Sequence, residues 1–242
     1  ETTAVAAGIG FAAASSTATT TLRPTVAATV SNSTVTAAGD IAIGSDSKTW
    51  GSVLAQGNSF GLFAAAGSYA TSTIDPTVIA TITGGSVTST GGGILLASRY
   101  NTVADLDGEF LNATTALLPV ALQPASPEPL GGRAEVQASS GGIVATSGGY
   151  ATAEHFGSTV ATAGGTLSAA GGITVSAVSH AVPVAVGGAT SGGLVGVGSA
   201  IANSHSKTST SAAVTGNVSM ASDLSVESIA IESPRSTTKA VS

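Results

Sequence analysis

Apolar and polar residues alternate with a period of two along most of this chain. The segments TVAATV (25–30), DIAIGS (40–45), GSVLAQ (51–56), ITVSAV (173–178), HAVPVAV (180–186) and LSVESIAIE (224–232) set small or aliphatic side chains against polar ones in this way. Successive side chains of an extended strand point to opposite faces, so this period predicts half-buried β-strands. Doublets of Gly, Asn, Asp and Ser stand between the segments and read as turns. Helical period is not sustained over about 10–12 residues anywhere, so the expected fold class is all-β.

The strand pattern is itself repeated. TVTAAGDIAIGS (34–45) returns as SVTSTGGGILLAS (86–98), TLSAAGGITVSA (166–177) and NVSMASDLSVES (217–228). From Phe11 to Phe63 is 52 positions, and RPTVAATV (23–30) meets DPTVIATI (75–82) at the same offset. From Ile143 to Leu194 is 51 positions; at that offset Tyr150 meets Ile201, Gly165 meets Gly216, Leu167 meets Val218 and Ile173 meets Leu224. Four units of this length cover the chain, starting near Gly10, Gly61, Gly142 and Gly193. The second is too long by about 28 residues, and the excess falls within residues 99–133, which hold four of the eight prolines.

A short strand cannot bury its apolar face alone, but stacked on an equivalent strand with equivalent turns it can, each coil satisfying the backbone groups of the next. The repeat therefore predicts a single domain, 1–242: a parallel β-helix, or β-solenoid, of four repeats of about 51 residues with an inserted loop at 99–133. Its hand is right by the default for parallel crossovers. Five or six short strands per unit suggest that each unit spans two rungs, and EVQASSGGIVATS (135–147) supports this by echoing the opening phrase half a unit out of step. The expectation is about eight rungs, about 40 Å long at the strand spacing. Tyr69, Tyr150 and Ile201 should form one column, and Ile41, Ile94, Ile173 and Leu224 another.

Composition narrows the function. Charged residues make up 8% of the chain, Gly 32 positions and Cys none. Small and aliphatic side chains suit a narrow coil, where a charge would face its own equivalent one rung away. The net charge of −6 argues against nucleic acid, whose phosphates call for Lys and Arg. No apolar run reaches the roughly 18–20 residues of a membrane span, and no basic region marks a signal peptide. Glu1 in place of an initiator residue leads to the expectation of a piece of a longer or processed protein.

The phrases GLFAAAGSYATSTIDPTVIATITGGSVTSTGGGILLAS (61–98) and GGTLSAAGGITVSAVS (164–179) resemble the repeat arrays of giant bacterial surface adhesins, the filamentous-haemagglutinin-like and leukotoxin-type filamentous adhesins. The resemblance covers nearly the whole chain except 99–133. It implies a right-handed β-helical shaft, exported to the bacterial cell surface or medium and used for adhesion, cell–cell contact or filament building. It brings no catalytic residues with it.

Candidate chemistry is sparse. His155, His180 and His205 share no column and read as solvated turn histidines rather than a metal site. The glycines of TSGGLVGVGS (190–199) open no helix, so they are not a dinucleotide loop. ADLDGEF (104–110) sets Asp105, Asp107 and Glu109 on alternate positions beside Gly108. Calcium loops use such oxygens, but no bidentate Glu follows at the required spacing, so the expectation is no cofactor, with calcium as the alternative. With Phe110 and Leu111 the three acids form a candidate interaction loop, since solenoids accept insertions at turns and such loops carry binding. The expected role is a non-enzymatic, structural or adhesive segment of an extracellular filament. It associates end to end or continues covalently into more repeats, and it meets host cells, other cells or a polysaccharide surface. The alternatives are a solenoid face that binds ice or polysaccharide, or a polysaccharide-processing β-helix enzyme.

Overall fold

The computed structural model describes residues 1–102 and 131–242. These form seventeen strands and no helix. An initial strand, β1 (Thr2–Ala7), is followed by four units of four strands. The first holds β2 (Phe11–Leu22), β3 (Thr25–Ala37), β4 (Ile41–Ser47) and β5 (Trp50–Phe60). The second holds β6 (Phe63–Ile74), β7 (Thr77–Ser89), β8 (Ile94–Tyr100) and β9 (Gly131–Gly141). The third holds β10 (Val144–Ala163), β11 (Thr166–Ala169), β12 (Gly172–Ala181) and β13 (Val184–Gly192). The fourth holds β14 (Val195–Val214), β15 (Asn217–Met220), β16 (Asp223–Glu232) and β17 (Arg235–Val241).

Every pairing is parallel and joins equivalent strands of successive units. Three stacked sheets result, and the chain is the parallel β-solenoid its repeats predict. Sheet A is β1-β5-β9-β13-β17, sheet C is β4-β8-β12-β16, and the remaining eight strands make the broad sheet B. Both expected columns are present: Tyr69 pairs with Tyr150 and Tyr150 with Ile201, and Ile41, Ile94, Ile173 and Leu224 follow one another.

The rung count needs correction. Phe11 pairs with Phe63, Phe63 with Val144 and Val144 with Val195, so one unit of about 51 residues closes one coil, not two. The stack is four coils deep in sheets B and C, against the eight rungs expected. The cause is that several doublets read as turns lie inside continuous strands, such as Gly148-Gly149 in β10 and Gly187-Gly188 in β13. A Cβ on Gly149 would stand 2.8 Å from the Gly188 carbonyl oxygen, so glycine there admits a close approach of two sheets. The echo at 135–147 likewise does not stack on the opening phrase: β9 pairs with β5 and β13 in sheet A, whereas residues 173–177 lie in sheet C.

The core fills two compartments. Sheet A and the first half of sheet B enclose Ala18, Val53, Ala55, Ala70, Ala134, Val136, Ala151, Ala153 and Ala185. Sheet C and the second half of sheet B enclose larger side chains, with Ile41, Ile82, Val87, Ile94, Leu96, Leu167, Ile173 and Val175 among them. Ile74, Val78 and Tyr100 pack at the waist between the two. Buried serines donate to backbone carbonyls elsewhere in the coil: Ser59 Oγ to Ala12 O at 2.8 Å and Ser98 Oγ to Val78 O at 2.8 Å. These bonds satisfy polar groups that would otherwise cost about 1–3 kcal/mol each to bury.

Candidate interaction site

The loop residues Asp105, Asp107, Glu109, Phe110 and Leu111 lie outside the described residues. The structure does define where their segment joins the shaft. Ser47 pairs with Tyr100 and Trp50 with Gly131, so two residues, Lys48 and Thr49, link these positions in the first coil where thirty stand in the second. Thr102 and Gly131, which flank residues 103–130, stand at the corner between sheets C and A, and Arg99, Tyr100 and Arg133, inside the range expected for the insertion, belong to strands β8 and β9.

That corner is polar and closed. Arg99, Tyr100, Asn101 and Thr102 are buried, and so is His155 of β10 across the waist. The Asn101 Oδ1 accepts from the Thr49 backbone N–H at 2.8 Å, which ties the root of the insertion to the corner of the coil below. Tyr100 and His155 meet edge to face, ring centroids 5.2 Å apart. Burial pushes the Tyr100 hydroxyl above the ordinary phenol range, with the Thr49 and Asn101 side chains offsetting part of the effect.

The histidines are not turn residues. All three lie in strands, and His155 is fully buried. Burial pushes His155 down to about 4; the Glu232 carboxylate works against this and His180 works with it. Neither His155 ring nitrogen finds a hydrogen-bond partner among the described residues. The sequence held the signal: His155 shares a column with Ile74 and the inward parity of Ala151 and Ala153. His205 is exposed, meets Glu154 as the register predicts, and tilts against Phe156 with centroids 5.9 Å apart. Burial lowers His180 as well. Glu232 is held below its ordinary value by the Thr208 backbone N–H, which donates to it at 2.7 Å, and by the Thr208 hydroxyl at 2.8 Å. Among the described residues no three His, Cys, Asp or Glu side chains gather as metal ligands, and no helix is long and apolar enough to cross a membrane.

Two other surfaces stand out. The outer face of sheet B carries threonine columns three coils high, Thr19–Thr71–Thr152 and Thr29–Thr81–Thr162. In the sequence these threonines look scattered, because T-x-T is not repeated within each unit. The second surface is the pair of sheet edges at either end. β2, β3 and β4 pair only on the side of the second coil, and β14, β15 and β16 only on the side of the third. Interior columns run out into solvent there: Leu224 and Val226 are 45% exposed although Ile173 and Val175, on the same columns, are buried. Apolar residues at the A–B corner and just beyond it, Ile9, Phe11, Leu194 and Val195, are exposed as well. No family model, curated protein or solved structure matches the chain.

Proposed function

We propose that this chain is a non-enzymatic shaft segment of an extracellular, bacterial-surface filament, which stacks end to end and presents residues 103–130 as a side loop. The observation that carries this reading is the uniform stacking of equivalent strands, whose apolar columns run unbroken through all four coils to the outermost strands. An open row of backbone donors and acceptors beside apolar side chains is a template for another strand. Small, nearly uncharged columns suit uniform stacking, and the one long interruption sits at a corner where it leaves the ladder intact. A role in adhesion to cells follows from the resemblance to filamentous adhesins and from the loop.

Sedimentation velocity and electron microscopy over a concentration series test it. The expected result is rods that lengthen with concentration in steps of one copy, about 19 Å for four strand spacings. A monodisperse monomer at the highest concentration, with both ends in solvent, would count against stacking. Removing residues 103–130 leaves Asn101–Thr102 as a link of the same length as Lys48–Thr49, so the shaft should keep its circular dichroism and lose adhesion. Adhesion that survives this deletion removes the loop from the interaction surface.

The threonine columns favour a second reading, a flat face that binds polysaccharide. Co-sedimentation with insoluble glycans, lost on Thr81→Val together with Thr162→Val, distinguishes it.

A further inference from the structure

A glycine inside a strand costs stability and calls for a reason: a positive φ, a close approach of another backbone, or a ligand above it. Gly149 has the second reason. Gly67 and Gly148 have neither of the first two. Both face outward from sheet B, on β6 and β10. A Cβ on Gly148 would meet nothing within 4 Å, and one on Gly67 would have its nearest neighbours at 3.9 Å, an ordinary contact. Neither glycine has a positive φ. The two pair with one another, and Ser15 and Ser199 continue their column on either side. The fold has room for a side chain here, yet the floor of this face is bare backbone over two coils.

The bare floor lies beside stacked tyrosines. Tyr69 and Tyr150, the next outward residues along these strands, pair in register with ring centroids 6.5 Å apart and planes tilted by 42°. Both are exposed, although they belong to the second and third coils. The Asn203 Nδ2 donates to the Tyr150 hydroxyl at 3.0 Å and holds that ring in place. Tyr69 Cε2 borders the Gly67 floor, while the space over Gly148 is open. Thr146, exposed on β10, bounds that space on the side away from Tyr150. Residues 11–19, 63–71, 144–152 and 195–203 form this half of the sheet and include no Asp, Glu, Lys, Arg or His.

We propose that this trough binds a neutral glycan, with a sugar ring seated over Gly148 and stacked against Tyr69 and Tyr150. This rests on the polysaccharide reading and gives it a site, separate from the Thr29–Thr81–Thr162 column. A pyranose ring has a face of C–H groups and a rim of hydroxyls. The C–H face suits the electron-rich face of a tyrosine. Bare backbone lets the ring come close. The rim hydroxyls meet the Thr146 hydroxyl, the tyrosine hydroxyls and the Asn203 amide. Anionic glycans and phosphates are disfavoured, because they call for Lys and Arg and this half of the sheet has none. A second copy of the chain fits less well, because the centre of a protein interface is filled by large side chains and the centre of this one is glycine.

Affinity electrophoresis of the chain through gels containing hydroxyethylcellulose, glycol chitin or soluble starch tests this, with heparin as the anionic control. Retardation by at least one neutral glycan, and none by heparin, is expected. Gly148→Val is the decisive variant. A β-branched residue suits an exposed strand position, so the chain should keep its circular dichroism and thermal midpoint and bind at least tenfold less well. Tyr150→Ala should weaken binding by a similar factor. A folded Gly148→Val chain that binds like the parent overturns the proposal. If Gly148→Val does not fold, Tyr69→Ser at an exposed position takes its place, with the same expected loss and the same overturning result. Retardation by heparin alone overturns it too. So does a shift in sedimentation coefficient between Gly148→Val and the parent without glycan, which would mark the face as a contact between copies. Binding lost only on Thr81→Val with Thr162→Val removes this site and leaves the polysaccharide reading. Failure of every neutral glycan to retard the chain removes this site, and failure of co-sedimentation as well removes both.

Discussion

The two core compartments of this solenoid obey the same stacking rule with different side chains. Between sheets A and B the buried columns are alanine and valine, with glycine where the sheets come closest. Between sheets C and B they are isoleucine, leucine and valine. A column of identical residues repeats its own volume at every coil, so side-chain size sets the separation of the sheets along the whole shaft. The narrow compartment is filled by backbone and small side chains, and the wide one by aliphatic bulk. Loss of volume should therefore hurt the wide side most, and gain of volume the narrow side.

The largest effect is expected on the wide side. Ile173 is fully packed between Ile94 and Leu224 on its column, and Ile173→Ala should destabilise the fold by about 2–5 kcal/mol through lost transfer energy and a residual cavity. Urea unfolding followed by circular dichroism measures this; a loss under about 1 kcal/mol would mean the compartment collapses around the gap.

The waist between the compartments supplies the second test. His155 has its pKa pushed down to about 4 in the folded chain, while an unfolded histidine titrates near 6.5. Between these values the unfolded chain takes up a proton that the folded chain refuses. Stability is thus fully present above pH 6.5, falls as pH drops through this window and levels off below about 4. The contribution is about 3 kcal/mol. His155→Leu restores the aliphatic character of a column that holds Leu22 and Ile74, and it should remove this component of the pH dependence. Equal slopes of unfolding free energy against pH in the two proteins would show that His155 is not the source.

The smallest of the three effects belongs to the narrow side. Ala151→Leu adds bulk between sheets held close by Gly149 and its neighbours, and should cost about 1–3 kcal/mol by overpacking. The same enlargement at Ala177, buried in the wide compartment, should cost less. Comparable costs at both positions, read from thermal unfolding, would mean that the two compartments do not differ in tolerance.

Much of this was legible before the fold was known. The period of two identified the strands, and offsets of 51 and 52 predicted columns that the register reproduces, among them Tyr69 with Tyr150 and Ile41 with Ile94. The strand pattern also stops after β8 and resumes in phase at β9. The candidate site was much less so. His155 was misplaced because its neighbours Glu154 and Phe156 are polar or large and face outward, which hid its inward parity. The threonine columns were missed because they emerge only when whole units are aligned.

By itself the sequence determined that equivalent residues stack, since a repeat of fixed length makes every strand best complemented by its own copy. What only the tertiary structure decided is how the chain travels between copies. A Gly doublet bends the chain in one setting and lets two sheets approach in another, and the choice depends on what lies across the core. That choice turned two expected rungs into one broad coil and divided the core into a narrow and a wide half. A local pattern cannot count strands per coil, because the count is set by closure, a property of the whole turn.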